Sequence, residues 1–167
     1  ENLSVMQCTS SYPTDDFEAN LRVITNLSKR KGITAGYSDH TLGSLALKTA
    51  YSLGAQVLEF HFTDTRKNKS FRDHKVSLNL LETKELIEDL KRIKDMLGSG
   101  EKKPTKNEIK SKHIYSFRRG VFLNKNISKG QVIEEKDLIS LRPNVGVDAR
   151  LYSKVIGKKA KRNILKL

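Results

Sequence analysis

The chain has 167 residues, 37% of them hydrophobic and 31% charged, and carries a formal net charge of +13. That length allows one ordinary domain or two small ones with a modest core. One cysteine, Cys8, excludes an internal disulfide and fits a reducing, cytoplasmic setting, and no apolar run approaches the roughly 18 residues needed to span a bilayer.

In chain order, Leu3 to Cys8 reads as a strand that runs into the turn-rich stretch Thr9 to Asp16. Asp15 or Asp16 is placed to cap a helix in which Phe17, Leu21, Ile24 and Leu27 recur at helical spacing, and Gly32 stops it. Ile33 to Tyr37 is a second strand, leading into Ser38-Asp39-His40-Thr41. A helix over about 43–53 carries Leu45, Leu47, Ala50 and Leu53 and ends at Gly54. Ala55 to Phe62 is the third strand, followed by a polar excursion over 64–76. A helix over about 79–97 presents Leu86, Leu90, Ile93 and Leu97 on one stripe before Gly98-Ser99-Gly100. Three strand–helix repeats indicate parallel βα units. Three strands alone leave two open edges, so the segment reads as a piece of a larger α/β structure.

Residues 99–112 are charged, with one proline and little that is apolar, and read as a linker. Beyond it the helical period disappears. Short runs such as Gly120 to Leu123 and Gln131 to Ile133 alternate with turn signals, so 113–167 reads as a small β-rich domain. The charge is lopsided: residues 101–167 hold 18 Lys/Arg against 6 Asp/Glu, and residues 1–100 hold 14 against 13. The basic half raises the question of nucleic acid. Its lysines are scattered through apolar runs, however, and no nucleic-acid-binding signature is present. The preferred reading is a solvated basic surface that faces an acidic partner or an anionic substrate.

The candidate chemistry lies at two strand ends. His40 and His61 each close a short apolar run followed by a helix, and in parallel α/β proteins the carboxyl ends of strands face a shared site. Two imidazoles and nearby carboxylates could hold a divalent cation there.

Four segments, Gln7 to Pro13, Gly36 to Thr41, Glu59 to Thr63 and Arg72 to Leu78, resemble successive motifs of the sialic acid synthases, which make N-acetylneuraminate, legionaminate or pseudaminate. Gly130 to Ile133, Leu141-Arg142-Pro143 and Ile156 to Ala160 resemble that family's C-terminal antifreeze-like domain. The resemblance implies an α/β fold: residues 1–98 would be the last three strand–helix units of a (β/α)8 TIM barrel. Residues 99–112 would be a linker and 113–167 an antifreeze-like β-clip domain. It implies condensation of phosphoenolpyruvate with an N-acylated hexosamine, releasing phosphate and a nine-carbon 2-keto acid. His40 and His61 would hold a divalent metal, most often Mn2+, and Glu59 would lie near the metal and sugar. Ser38 matches a contact to the phosphate of phosphoenolpyruvate, and Ser10, Tyr12 and Asp73 match sugar contacts. Arg142 matches a residue that reaches the sugar's N-acyl group in the partner of a domain-swapped homodimer.

Departures from the family pattern are visible too. Ser10 stands in place of a frequent asparagine, and Phe60 in place of a frequent lysine. The loop before Asp73 reads Lys69-Ser70-Phe71-Arg72 instead of a Pro-Gly-Pro turn, with one residue more. The family's lysines on earlier strands and its first-strand glutamate have no counterpart in this chain, so the chain alone is expected to be nearly inactive. A non-catalytic sugar-binding or partner subunit built from this half is the alternative, and a basic nucleic-acid binder a third.

Overall fold

The computed structural model describes residues 3–167. The chain divides into two compact units, 1–101 and 102–167.

The first unit is built on a three-stranded parallel sheet in the order β1 (Leu3–Cys8), β2 (Ile33–Asp39), β3 (Val57–Phe60). Met6 pairs with Gly36 and Gly36 with Val57; one step on, Cys8 pairs with Ser38 and Ser38 with Glu59. A bridge between Phe62 and Leu78 continues the parallel pattern past the third strand. Parallel neighbours joined in sequence order by crossovers of the usual right hand carry their helices on one side of the sheet. Those helices are α1 (Arg22–Leu27), α2 (Leu45–Ser52), the short α3 (Arg72–Val76) and the long α4 (Leu80–Leu97).

The core lies between the sheet and the helices. Ile24, Ala35, Tyr37, Leu47 and Leu86 are all at most 2% exposed, and Leu58 and Phe60 pack against them. Burying each of the leucines contributes about 1.5–3 kcal/mol. Because side chains alternate along a strand, packing of Leu58 and Phe60 on the helical side turns Val57, Glu59 and His61 to the opposite face. Among the described residues of this unit no helix covers that face, and Met6, Cys8 and Glu59 on it are exposed. Gly36 sits in the middle of the sheet because a Cβ there would lie 2.6 Å from Met6 Cγ and 3.0 Å from the Val57 carbonyl oxygen.

The α2 and α4 helices are tied by Lys48 to Asp89 at 2.7 Å. The start of α4 is fixed by a reciprocal capping box. Asn79 Oδ1 accepts from the Glu82 amide at 3.0 Å and Glu82 Oε2 accepts from the Asn79 amide at 2.8 Å.

The structure departs from the sequence pattern at three places in this unit. The helix expected from Asp16 to Leu27 is split: a single 3-10 turn, Asp16–Glu18, precedes α1, and Asn20 between them takes a left-handed φ of 47°. Phe17 is therefore 84% exposed and not part of the buried stripe, and neither Asp15 nor Asp16 caps α1. The polar excursion over 64–76 contains α3. Glu59, read as a buried strand carboxylate, is exposed because the face it points from carries no helix in this unit.

The second unit holds an antiparallel sheet in the order β5 (Leu138–Leu141), β4 (Gly120–Leu123), β6 (Val147–Asp148). Isolated bridges from Ile127 to Ile164 and from Val132 to Lys159 add pairing without regular strands. Leu123, Ile127, Ile133, Leu138 and Ala160 form its small core. The segment 99–112 contains a helical turn, α5 (Lys106–Lys110), before α6 (His113–Ser116). Its cause is a Thr105-x-x-Glu108 capping box, in which Thr105 Oγ1 accepts from the Glu108 amide at 3.2 Å. A last short helix, α7 (Tyr152–Val155), follows β6. No helix among the described residues is long and apolar enough to cross a membrane.

Candidate active site

The ends of β2 and β3 bring His40 and His61 together, with ring centroids 5.3 Å apart. His40 is 5% exposed, whereas the His61 side chain is about a quarter exposed. His40 Nδ1 lies 2.7 Å from the Thr9 carbonyl oxygen. A carbonyl only accepts, so Nδ1 carries the proton and donates, which leaves Nε2 of the neutral ring as the free lone pair. A backbone partner on the second ring nitrogen is the usual way a metal-binding imidazole is held in orientation.

The turn-rich loop after β1 closes over this ring. Tyr12 stacks on His40 with centroids 4.0 Å apart and meets His61 edge-on at 5.8 Å. The Arg72 guanidinium lies 4.6 Å above the other partner in this stack, the Tyr12 ring. Thr14 ties the loop down: its amide donates to the His40 carbonyl at 2.8 Å and its hydroxyl to the Ser11 carbonyl at 2.8 Å. Thr14 is 4% exposed. Neither Thr14 nor Arg72 stood out in the sequence, because their roles depend on a loop fold and not on spacing.

Asp39 serves the backbone of the turn. Its Oδ1 accepts from the Tyr37 hydroxyl at 3.0 Å and the Thr41 amide at 2.8 Å, which holds the segment that carries His40. Burial and the neighbouring Asp39 carboxylate push the Tyr37 hydroxyl well above the usual tyrosine range, so it stays a donor. Ser38 is buried at 6% exposure and stands in register between Cys8 and Glu59; the residue at the start of α2 is Ser44, so Ser38 does not cap that helix.

Asp73, in the first turn of α3, places Oδ2 3.9 Å from His61 Nδ1 and so stands beside the histidine pair. The loop before it is braced at both ends. His74 Nδ1 lies 2.9 Å from the Thr63 hydroxyl. Arg66 grips Glu82 at 2.6 and 2.9 Å and the Ser77 carbonyl at 2.6 Å. The Arg66 hydrogen bonds, helped by the Asn79 amide, hold the Glu82 carboxyl below the usual range.

His40, His61, Tyr12 and Asp73 are thus one cluster. Ser38 and Glu59 lie one pairing step further down the same sheet face, and Ser10 is exposed on the loop beside Tyr12. Phe60, where the resembled family has lysine, faces the helical side and packs on the core. In the second unit Arg142 is exposed, with its guanidinium 5.7 Å above the Phe117 ring.

Among the described residues no group of three or more His, Cys, Asp or Glu side chains gathers as a complete metal centre. The two imidazoles nevertheless fit as two ligands of one ion, since their spacing and the tautomer of His40 allow both rings to approach it. The remaining positions would be left to oxygen donors.

Residues 1–102 match the NeuB family and residues 118–166 match the SAF domain. The chain is 36% identical over 162 residues to N,N'-diacetyllegionaminic acid synthase of Legionella pneumophila, covering 97% of this chain and 45% of that protein. It is 34% identical over 167 residues to pseudaminic acid synthase of Campylobacter jejuni, covering 98% of this chain and 46% of that protein. A crystal structure described as a putative spore coat polysaccharide biosynthesis protein E from Chromobacterium violaceum superposes with a TM-score of 0.65 at 27% identity. That match covers 98% of this chain and 49% of the other. The chain spans somewhat under half the length of the curated relatives it matches.

Proposed function

This chain belongs to the NeuB family, and on that premise we propose that the protein carrying it is a sialic-acid-type synthase. It condenses phosphoenolpyruvate with an N-acylated amino sugar to give a nine-carbon 2-keto sugar acid and phosphate. The observation that carries this reading is the pair His40 and His61, facing each other at adjacent strand ends with His40 Nδ1 committed to the Thr9 carbonyl.

In the reaction C3 of phosphoenolpyruvate bonds to the sugar's aldehyde carbon, whose oxygen takes up the displaced electron pair and a proton. Water adds at C2 and the bond from C2 to the phosphate oxygen breaks. A divalent cation held by His40 and His61, Mn2+ being well suited to imidazole and oxygen donors, would supply Lewis-acid stabilisation of the charge on the aldehyde oxygen.

The chain's own residues prepare the rest. Tyr12, stacked on His40, walls one side of the site and excludes water from that ring. Asp73 beside His61 is available to accept hydrogen bonds from sugar hydroxyls. Ser38 at the strand end offers a hydroxyl to the phosphate of phosphoenolpyruvate, and Glu59, its register partner on β3, adds a carboxylate beside it. Ser10, beside Tyr12, would complete the sugar contacts. Arg142, exposed and presenting a rigid donor fork, would serve the N-acyl oxygen in the partner of a domain-swapped homodimer.

The test is phosphate release by the full-length protein with phosphoenolpyruvate, Mn2+ and a panel of N-acylated hexosamines. Release that requires both sugar and metal, and falls by at least 100-fold in His40→Ala and in His61→Ala, supports the reading. Release that survives either substitution at near wild-type rate contradicts it.

A further inference from the structure

The Tyr12 ring keeps its place without a hydrogen bond. The loop that carries it is tied down by Thr9, Ser11 and Thr14, whose side chains and amides bond to backbone carbonyls. Among the described residues the Tyr12 hydroxyl has no such partner, so the position of the ring rests on the groups that cover it. Two do so. His40 stacks on it with centroids 4.0 Å apart and planes 29° apart, and the Arg72 guanidinium lies 4.6 Å over the ring. A cation is drawn to the negative face of a tyrosine ring, and the flat guanidinium packs on that face as well.

Arg72 reaches Tyr12 from the start of α3, across the histidine pair. Among the described residues no hydrogen bond or ion pair joins the loop over 9–16 to the loop over 64–76, so this contact links them directly. The same side chain places Nε 3.7 Å from Asp73 Oδ1, and the other oxygen of that carboxylate lies 3.9 Å from His61. One arginine thus touches the neighbour of each histidine, Tyr12 beside His40 and Asp73 beside His61. The ion pair is long and two thirds of the arginine side chain is exposed, so solvent screens it and the ring contact is the stronger tie. Arg72 also belongs to the stretch in which this sequence departs from the family it resembles. A Pro-Gly-Pro turn there would offer no such side chain.

Resting on the synthase reading above, we propose that Arg72 is a positioning residue for the acceptor sugar: it clasps Tyr12 against His40 and so fixes the wall on which the sugar is received. Arg72 acts through Tyr12 and takes no part in the bond-forming steps. Its loss should therefore weaken the sugar and leave phosphoenolpyruvate, which meets Ser38 on the strand, nearly untouched.

The experiment uses the full-length protein with Arg72→Gln, which keeps length and removes charge, and Arg72→Lys, which keeps the charge. Each is also made in a Tyr12→Leu background. The first readout is the NMR shift of the His40 ring protons without substrate, which the stacked Tyr12 ring moves upfield. Arg72→Gln should move these protons downfield and Arg72→Lys should return them most of the way. In the Tyr12→Leu background Arg72→Gln should add nothing, because the two residues act as one unit. The second readout is turnover with phosphoenolpyruvate, Mn2+ and the N-acylated hexosamine panel. In Arg72→Gln the KM for the sugar should rise about two- to five-fold, the size of an exposed cation–ring contact, with kcat and the KM for phosphoenolpyruvate nearly unchanged. Unmoved His40 protons in Arg72→Gln overturn the proposal, and so does an equal shift in the Tyr12→Leu background. Equal losses for both substrates also overturn it, since Arg72 would then only brace its loop. Absence of turnover with every sugar removes the synthase reading alone; the proton shifts, read without substrate, still decide whether Arg72 holds the stack.

Discussion

Replacing Tyr37 with phenylalanine is the most economical way to test how the segment bearing His40 is held. Tyr37 is 2% exposed and Asp39 4% exposed, and the phenol donates to Asp39 Oδ1 at 3.0 Å. The substitution keeps the ring and its packing against the core but leaves a buried carboxylate with the Thr41 amide as its remaining described donor on that oxygen. A hydrogen bond to a charged group contributes about 1.5–3 kcal/mol, so a loss of about 2 kcal/mol is expected. That corresponds to a roughly 30-fold change in the opening equilibrium of the strand. Hydrogen exchange of the amides of β2 and the turn after it, in the full-length protein, reads it directly: protection from Gly36 to Thr41 should fall by about that factor. The exposed Tyr115→Phe provides the control. The phenol's raised pKa gives the contribution a sign with pH. It is complete below the ordinary tyrosine value of about 10 and is lost as pH rises through the higher folded value. Unchanged protection in β2 at neutral pH would refute the role assigned to Tyr37.

The remaining predictions concern packing and charge. Gly36→Ala places a Cβ 2.6 Å from Met6 Cγ and 3.0 Å from the Val57 carbonyl. Met6 can swing aside but the carbonyl cannot, so a loss of about 1–3 kcal/mol is expected in denaturant unfolding; no loss would mean that β1 and β3 yield more easily than a parallel pair should. Asp148 is held at about 2, chiefly by hydrogen bonds from the Arg150 side chain and also by its amide. Its contribution to the second unit is therefore present above the unfolded carboxylate value of about 4 and is lost as pH falls toward the folded one. Carboxyl titration by NMR should show the depressed midpoint, and Arg150→Ala should move it upward; an Asp148 midpoint near 4 in the unaltered protein would contradict this.

The three strands and the helices α2 and α4 were legible from the repeat of their apolar residues, although Leu45 at the start of α2 and Leu97 at the end of α4, both read as part of the apolar stripes, are exposed. Leu3 to Cys8 matches β1 at both ends, and Leu86 and Leu90 lie on the buried stripe of α4 as expected. The break at Asn20 was hidden because Phe17 happens to fall in phase with Leu21 and Ile24, though a backbone turn separates it from them. Within the polar stretch over 64–76, α3 has a single buried residue, Val76, too little for a period to show. Glu59 misled for another reason. A strand in an apolar run looks buried on both faces, yet in this unit helices cover only one.

At the candidate site the histidine pair could be read from the order of strands alone, since parallel neighbours deliver their carboxyl ends to one rim. The stack of Tyr12 on His40, the clamp by Thr14 and the cover by Arg72 could not. Each depends on how a loop folds back, and residue types within a loop do not encode which side chain it will meet.

The account stands or falls on the product formed by the full-length protein. Incubated with phosphoenolpyruvate labelled at C3, Mn2+ and an N-acylated hexosamine, it should yield one labelled nine-carbon 2-keto acid and one phosphate per sugar consumed. Mass spectrometry should find no such product when His40 is replaced by alanine. Phosphate without a labelled nine-carbon acid, or no reaction with any sugar of the panel by a folded protein, would contradict the assignment of a carbon–carbon bond-forming synthase.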